Sequence, residues 1–382
     1  MNRRLRGSAA CLLVMGMWGA VAQAQPAAGG GAGAGPIPPA LITTPDQAQI
    51  DAWSKAATGD LLNEADPALQ GKARDNMVNA CFVKRDTPAG AGFLAMYSAS
   101  LNNEFWPKLA PGTKLTPRQR LNLAIVTAKV ASVAQQSPLA PTVERLINDP
   151  LEPVVLWGLK GAQPIAPAVV KLRGAGNNPL HPMLAAVRPA ALKHPSGPVF
   201  EEAYAALGNA TTVSPDNPVL ERAVKAAAAE MISLWENRLQ QYRSAIPEDP
   251  IADGMPVFFL TTRDAWNTIV KDQATRTQVM QMVSDQLSLA SQHADASKDR
   301  EKRDQLVKLS IKCAGACAVV GTHQSNDPLK RTAGDEMNRM QPAVQNVGIK
   351  IRPMADAVGD ELRRAYPGVK PPAPPAAGVA QP

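Results

Sequence analysis

Apolar residues recur at helical spacing along most of the chain. Between Gln273 and Ala290, residues Val279, Met282, Val283, Leu287 and Ala290 follow one another at intervals that place them on a single face of a 3.6-residue helix. Leu220, Val224, Ala227, Met231 and Leu234 mark a second long helix, and Leu306, Leu309, Cys313, Ala316, Cys317 and Val320 a third. The stretch from Leu121 to Val133 is apolar on more than one face, which predicts a helix buried between neighbours. No segment alternates convincingly in the period of a strand; Pro256 to Leu260 (PVFFL) is the one run that reads either way. The pattern predicts an all-α fold of irregular stacked helical hairpins.

Two helix starts carry explicit signals. Thr44-Pro45-Asp46-Gln47 and Thr116-Pro117-Arg118-Gln119 each offer Thr as N-cap, Pro at the first helical position and Gln at the third. The Thr oxygen accepts an unpaired backbone N–H, the Gln reaches back, and Pro lacks the N–H that would have no partner there. Low-complexity segments bracket the helical part. Residues 25–40, with the run PAAGGGAGAGPIPP, read as a flexible linker, and residues 369–382, with PPAPPAAGVAQP, as an extended disordered tail. Residues 41–368 are thus the predicted helical domain, with a possible subdivision near 245–255.

An internal repeat runs through the first part of that domain. Asp149-Pro150-Leu151-Glu152-Pro153-Val154-Val155 matches His194-Pro195-Ser196-Gly197-Pro198-Val199-Phe200, and Ser214-Pro215-Asp216-Asn217-Pro218-Val219-Leu220 has the same form. Ahead of the first two copies, Leu139-Ala140-Pro141 corresponds to Leu180-His181-Pro182. In each copy the second Pro is placed to open a helix whose next residues are apolar. Helix pairs joined by an Asp-Pro turn, at a period in the low forties, resemble HEAT/armadillo repeats. The resemblance covers mainly residues 116–245, and the unit from Leu139 to Ala162 carries it best. Val155 stands where HEAT units commonly have Arg, and nothing after about 245 keeps the period. The resemblance implies a short α-solenoid whose stacked hairpins present an extended surface to another protein or peptide.

Export alters the charge balance. Arg3, Arg4 and Arg6, the apolar stretch Cys11 to Val21 and the small-x-small site Ala22-Gln23-Ala24 form a secretory signal, with cleavage expected after Ala24. Its apolar stretch is short of the roughly 20 residues a bilayer-spanning helix needs, and no later hydrophobic run reaches that length. A periplasmic or secreted chain without stable membrane insertion follows. Removing the three signal arginines leaves 37 basic residues against 33 acidic, a balance of +4. The excess is scattered. Its densest cluster, Lys298 to Arg303 (KDREKR), is interrupted by acids and reads as a solvated helix face, so nucleic acid is not an expected partner. Aromatic residues at 4 % argue against stacked-aromatic carbohydrate binding.

Candidate chemistry is sparse. No metalloprotease, nucleophile-elbow, phosphate-loop or Ser-x-x-Lys motif is present in a suitable setting, so no catalytic residue and no cofactor are assigned. The glycines at 29–35 follow a signal peptide rather than a strand. Cys81, Cys313 and Cys317 remain after signal removal. Cys313 and Cys317 share one helix face inside an apolar stripe, where Cys acts as a small hydrophobe. A bridge from Cys81 to Cys313 or Cys317 would close a long loop, worth about 3–5 kcal/mol in the chain-entropy model. A metal or redox alternative would join Cys313, Cys317 and His323, although the spacing matches no standard arrangement. His181 and His194 precede Pro and read as turn residues, while His293 and His323 have no obvious partner. Asp335-Glu336 and Asp360-Glu361 read as solvated helix faces, and Trp157, Trp235 and Trp266 as core anchors. The function expected is an exported protein-binding or scaffolding module without catalytic activity, its protein partner unidentified.

Overall fold

The computed structural model describes residues 33–83, 85–172 and 178–372; the expected signal sequence and cleavage site lie outside them. Within the described residues the chain forms sixteen α-helices and three short 3-10 turns, with no strand. The run PVFFL resolves as helix. The abundance of Pro in an all-helical chain has a local reason: eleven of these helices carry Pro in their first turn, where its missing N–H costs no bond.

The chain starts with α1 (Pro39–Thr43), α2 (Gln47–Leu61), α3 (Pro67–Asn79), α4 (Pro88–Lys108) and α5 (Pro117–Ala134). The Thr116 capping box forms as the sequence predicts: Gln119 N–H donates to Thr116 Oγ1 at 3.4 Å and Thr116 N–H to Gln119 Oε1 at 2.9 Å. The Thr44 box does not. Helix α2 starts at Gln47, Asp46 is its N-cap and accepts the Gln49 N–H, and Thr44 instead terminates α1. A carboxylate facing a helix N-terminus is the stronger acceptor of the two.

Next come α6 (Ala140–Ile147), α7 (Glu152–Val169), α8 (Pro182–Lys193), α9 (Gly197–Thr211) and α10 (Pro218–Ser244). Pro153, Pro198 and Pro218 lie in the first turns of α7, α9 and α10, the places the repeat predicts. Helices α6 and α7 pack as one hairpin and α8 and α9 as another. The two hairpins stack so that α7 lies between α5 and α9 while α6 meets α8, and α10 covers α8 and α9. Gly158 lets α7 approach α6 closely, since a Cβ there would stand 2.8 Å from Ile147 N. Pro167, inside α7, cannot supply the N–H that would bond Gln163 O; Asn209 of α9 donates to that oxygen instead, at 3.1 Å.

The remaining helices are α11 (Gly254–Thr261), α12 (Arg263–Thr268), α13 (Gln273–Ala296), α14 (Arg300–His323), α15 (Asp327–Met340) and α16 (Arg352–Ala365). Helix α14 is central: it packs on α11, α13, α15 and α16. Contrary to the sequence expectation, α14 is long and apolar enough to cross a membrane by length and composition, but more than half of its apolar window is buried inside this fold. Arg303, expected on a solvated face, is buried as well and donates to the carbonyls of Ala343 (2.7 Å), Asn346 (3.4 Å) and Ile349 (2.9 Å). Those carbonyls belong to the segment between α15 and α16, which this one side chain ties to α14.

One contiguous apolar core extends from Ile37 to Val369, so 245–255 is not a domain boundary. The folded part is also wider than residues 41–368. Ala34 N–H donates to Asp60 at 2.5 Å, Ala34 O accepts from Asn76, Gly35 O accepts from the Trp53 indole, and Ile37 is buried. At the other end Tyr366 and Val369 are buried, and the Gln281 amide grips Lys370 twice, accepting its N–H at 2.6 Å and donating to its carbonyl at 3.2 Å. Low complexity marks these segments as weak formers of structure on their own; side chains from α2, α3 and α13 supply the missing partners. Residues 25–32 and 373–382 lie outside the described ones.

The close helix contacts make a testable pair. Gly158→Ala places a methyl against the Ile147 and Leu146 backbone and should destabilise the fold by about 1–3 kcal/mol. Gly334→Ala, where a Cβ meets nothing within 4 Å, should stabilise it by about 0.5–1 kcal/mol through helix propensity. Urea denaturation followed by circular dichroism reads both.

Candidate functional site

The densest polar cluster lies where the sequence suggests a subdivision. Asp253, in the 3-10 turn Pro250–Asp253, is fully buried and bound through both oxygens. Arg238 Nε donates to Oδ1 at 3.2 Å and Oδ2 at 3.1 Å, Tyr242 OH donates to Oδ2 at 2.7 Å, and Tyr204 OH donates to Oδ1 at 3.3 Å. Arg238, only 1 % exposed, also donates to Gln241 Oε1 and to the Glu248 carbonyl, and its guanidinium lies 4.5 Å above the Phe200 ring. Periodicity assembles this site: Arg238 and Tyr242 are four apart on α10, Phe200 and Tyr204 four apart on α9. His293 of α13 adds a ring-nitrogen contact to the Tyr242 carbonyl at 2.6 Å, so it is partnered after all.

Burial controls the electrostatics here. Desolvation pushes the Asp253 carboxyl above the usual carboxylate range, against the pull of Arg238 and its hydrogen bonds. The same desolvation, with Asp253 nearby, holds the Tyr204 and Tyr242 hydroxyls well above their usual range, so both stay protonated donors. A carboxylate with both oxygens bound and no solvent access is arranged to fasten α9, α10 and the 250–253 turn together. It is not placed to meet a substrate.

The three cysteines are buried free thiols. The bridge from Cys81 to Cys313 or Cys317 is not made. Cys81 lies just beyond α3, with Tyr97 and Lys129 as its electrostatic neighbours, while Cys313 faces Cys317, Lys312 and Asp253. Desolvation raises the Cys81 and Cys317 thiols to about 12 and Cys313 well above its usual range. Such thiols are poor thiolate ligands or nucleophiles. Among the described residues no three His, Cys, Asp or Glu side chains converge to hold an ion, so Cys313, Cys317 and His323 form no three-ligand set.

The other singled-out residues also take local roles. His181 caps α8, its Nδ1 accepting the Met183 N–H, and His194 ends the same helix. Glu336 pairs with Arg339, Asp360 with Arg363 and Glu361 with Arg364, each within one helical turn. Trp235 and Trp266 are core anchors as predicted, Trp235 bonding Gln286 Oε1 at 3.0 Å. Trp157 is different: it is only half-buried, with Lys129 Nζ 5.8 Å and Lys160 Nζ 5.0 Å from its ring centre. It covers a small apolar cluster separate from the main core, formed by Ala124, Leu146 and Val154.

Arg238, Asp253 and the Trp157 surface were not marked by any motif. Arg238 and Tyr242 continue the apolar stripe of α10 at helical spacing, and a charge inside such a stripe was the available signal. The chain matches no protein-family model and no curated protein significantly.

Two measurements probe the interior. Asp253→Ala strands the Arg238 charge and should cost about 3–5 kcal/mol, whereas Asp253→Leu combined with Arg238→Met should cost less than that single change. Urea titrations of the two variants beside the unchanged protein would show it. The thiols bind their protons more tightly folded than unfolded, so their contribution is complete below 9.0 and is lost as pH rises through about 12. Stability should therefore fall as pH rises above 9.0, and less steeply in Cys317→Ala. At about pH 8 a disulfide reagent should label the thiols only upon unfolding.

Proposed function

We propose that the protein is an exported scaffold, periplasmic or secreted, that binds a protein partner and has no catalytic activity of its own. The observation that carries this reading is the stacking of α5, α7 and α9 in one row and of α6, α8 and α10 in a second. Stacked hairpins bury their inner faces against one another and leave a broad, continuous outer surface for a partner. The HEAT-like spacing of residues 116–245 agrees with it. The Arg238–Asp253 cluster agrees too, since its charges and tyrosine hydroxyls are engaged in holding helices together.

Native mass spectrometry of the chain captured gently from the exported fraction tests the proposal. A chain that starts at Gln25 and carries a stoichiometric protein partner is the expected outcome. A partner-free chain carrying a metal or other small ligand would overturn it.

A further inference from the structure

After α16 the chain turns back onto α13 as an extended strap. Tyr366 to Val369 form the turn, closed by the Val369 N–H on the Tyr366 carbonyl at 2.9 Å. Beyond it the strap is held as a bound peptide would be. The Gln281 amide accepts the Lys370 N–H at 2.6 Å and donates to the Lys370 carbonyl at 3.2 Å, so it reads backbone and no side chain. Asp285, one turn along α13, orients that amide by accepting its other N–H at 3.0 Å. Neighbouring residues supply the selection. Val369 is buried in the main core, and Gly368 lies so close to Thr277 that a Cβ would stand 2.9 Å from its methyl carbon. Pro371 and Pro372 bring no N–H that would need a partner. The clasp is at the edge of an open cleft of about 470 Å³, lined by Arg243 of α10 and by Gln278, Asp285 and Pro371.

We propose that residues 366–372 are a built-in competitor: they occupy a site on α13 for an extended protein segment of the form Gly-Val-x-Pro, and a partner bearing such a segment displaces them. The inference rests on the scaffold reading and gives its partner a chemistry. Main-chain bonds to a fixed amide favour any extended chain; the tight glycine, the apolar seat and the proline that lacks an N–H select the sequence. Strand-adding and proline-reading sites divide affinity and specificity in the same way. Beyond its turn the strap has one clasp and one buried side chain and belongs to no helix. It therefore opens at a lower free energy than the helices beneath it, which makes exchange possible.

The test titrates the full mature chain into a fluorescent peptide, Tyr-Pro-Gly-Val-Lys-Pro-Pro, that copies the strap. Val369→Asp should free the site and raise affinity about tenfold over the unchanged chain, since the internal competitor no longer holds it. Adding Gln281→Ala should lower the affinity again by about tenfold, the loss of two hydrogen bonds. A peptide with Asp in place of Val should not bind. Equal binding by the unchanged and Val369→Asp chains would overturn the proposal, and so would binding indifferent to Gln281→Ala. Hydrogen exchange on the unchanged chain needs no variant to fold: the Lys370 amide should exchange at least about tenfold faster than the protected amides of α13. A single rate for both would show a strap that never detaches and would also overturn it. If a co-purifying partner stays on the Gln281→Ala chain, this site is not its seat and the scaffold reading stands. If the peptide binds as expected and no partner co-purifies, the scaffold reading fails and the clasp stands.

Discussion

Burying an arginine and an aspartate together is costly unless every donor and acceptor they carry is engaged, and this fold is organised around meeting that condition at Arg238 and Asp253. The guanidinium has the carboxylate, a glutamine oxygen, a backbone carbonyl and an aromatic face; the carboxylate has the guanidinium and two tyrosine hydroxyls. Because these groups come from α9, α10 and the 250–253 turn, none of the three can shift without leaving a charge or hydroxyl unpaired. The turn also touches α14, the helix around which the C-terminal part is packed. The stacked hairpins and the C-terminal helices are therefore one body with one core.

Similar fastening recurs elsewhere. Arg303 binds three carbonyls of the loop before α16, and Asp295 accepts the N–H groups of Ile351 (2.9 Å) and Arg352 (3.1 Å), capping α16 from a different helix. Interior polar groups are thus structural, and chemistry that a partner could meet has to be on the surface. Nearer the surface, Trp106 of α4 has the Arg145 guanidinium over its ring, and Trp157 of α7 has Lys129 and Lys160.

Much of the architecture was legible because it is written locally. The Thr116 box, the Pro that opens α7, α9 and α10, and the apolar stripes of α10, α13 and α14 each follow from short-range sterics and hydrogen bonding within a few residues. Cys313 and Cys317 were likewise legible as packing from their place in a stripe. The Arg238 and Arg303 sites were half legible, as charges continuing apolar stripes, but their acceptors come from separate turns and loops. Trp157 misled because it is half-buried over a small buried cluster, Ala124, Leu146 and Val154, that is separate from the main core.

By itself, then, the sequence determined that this is an all-α chain and where most of its longer helices begin, since caps, prolines and periodicity act within one or two turns. Only the tertiary structure decided that residues 34–40 and 369–370 belong to the folded part, that 245–255 joins rather than divides, that the cysteines stay apart as thiols, and which tryptophans reach the surface. Each of those outcomes depends on side chains supplied by helices far away in the chain, and no local pattern encodes which partner a buried charge, an unpaired carbonyl or an indole ring will meet.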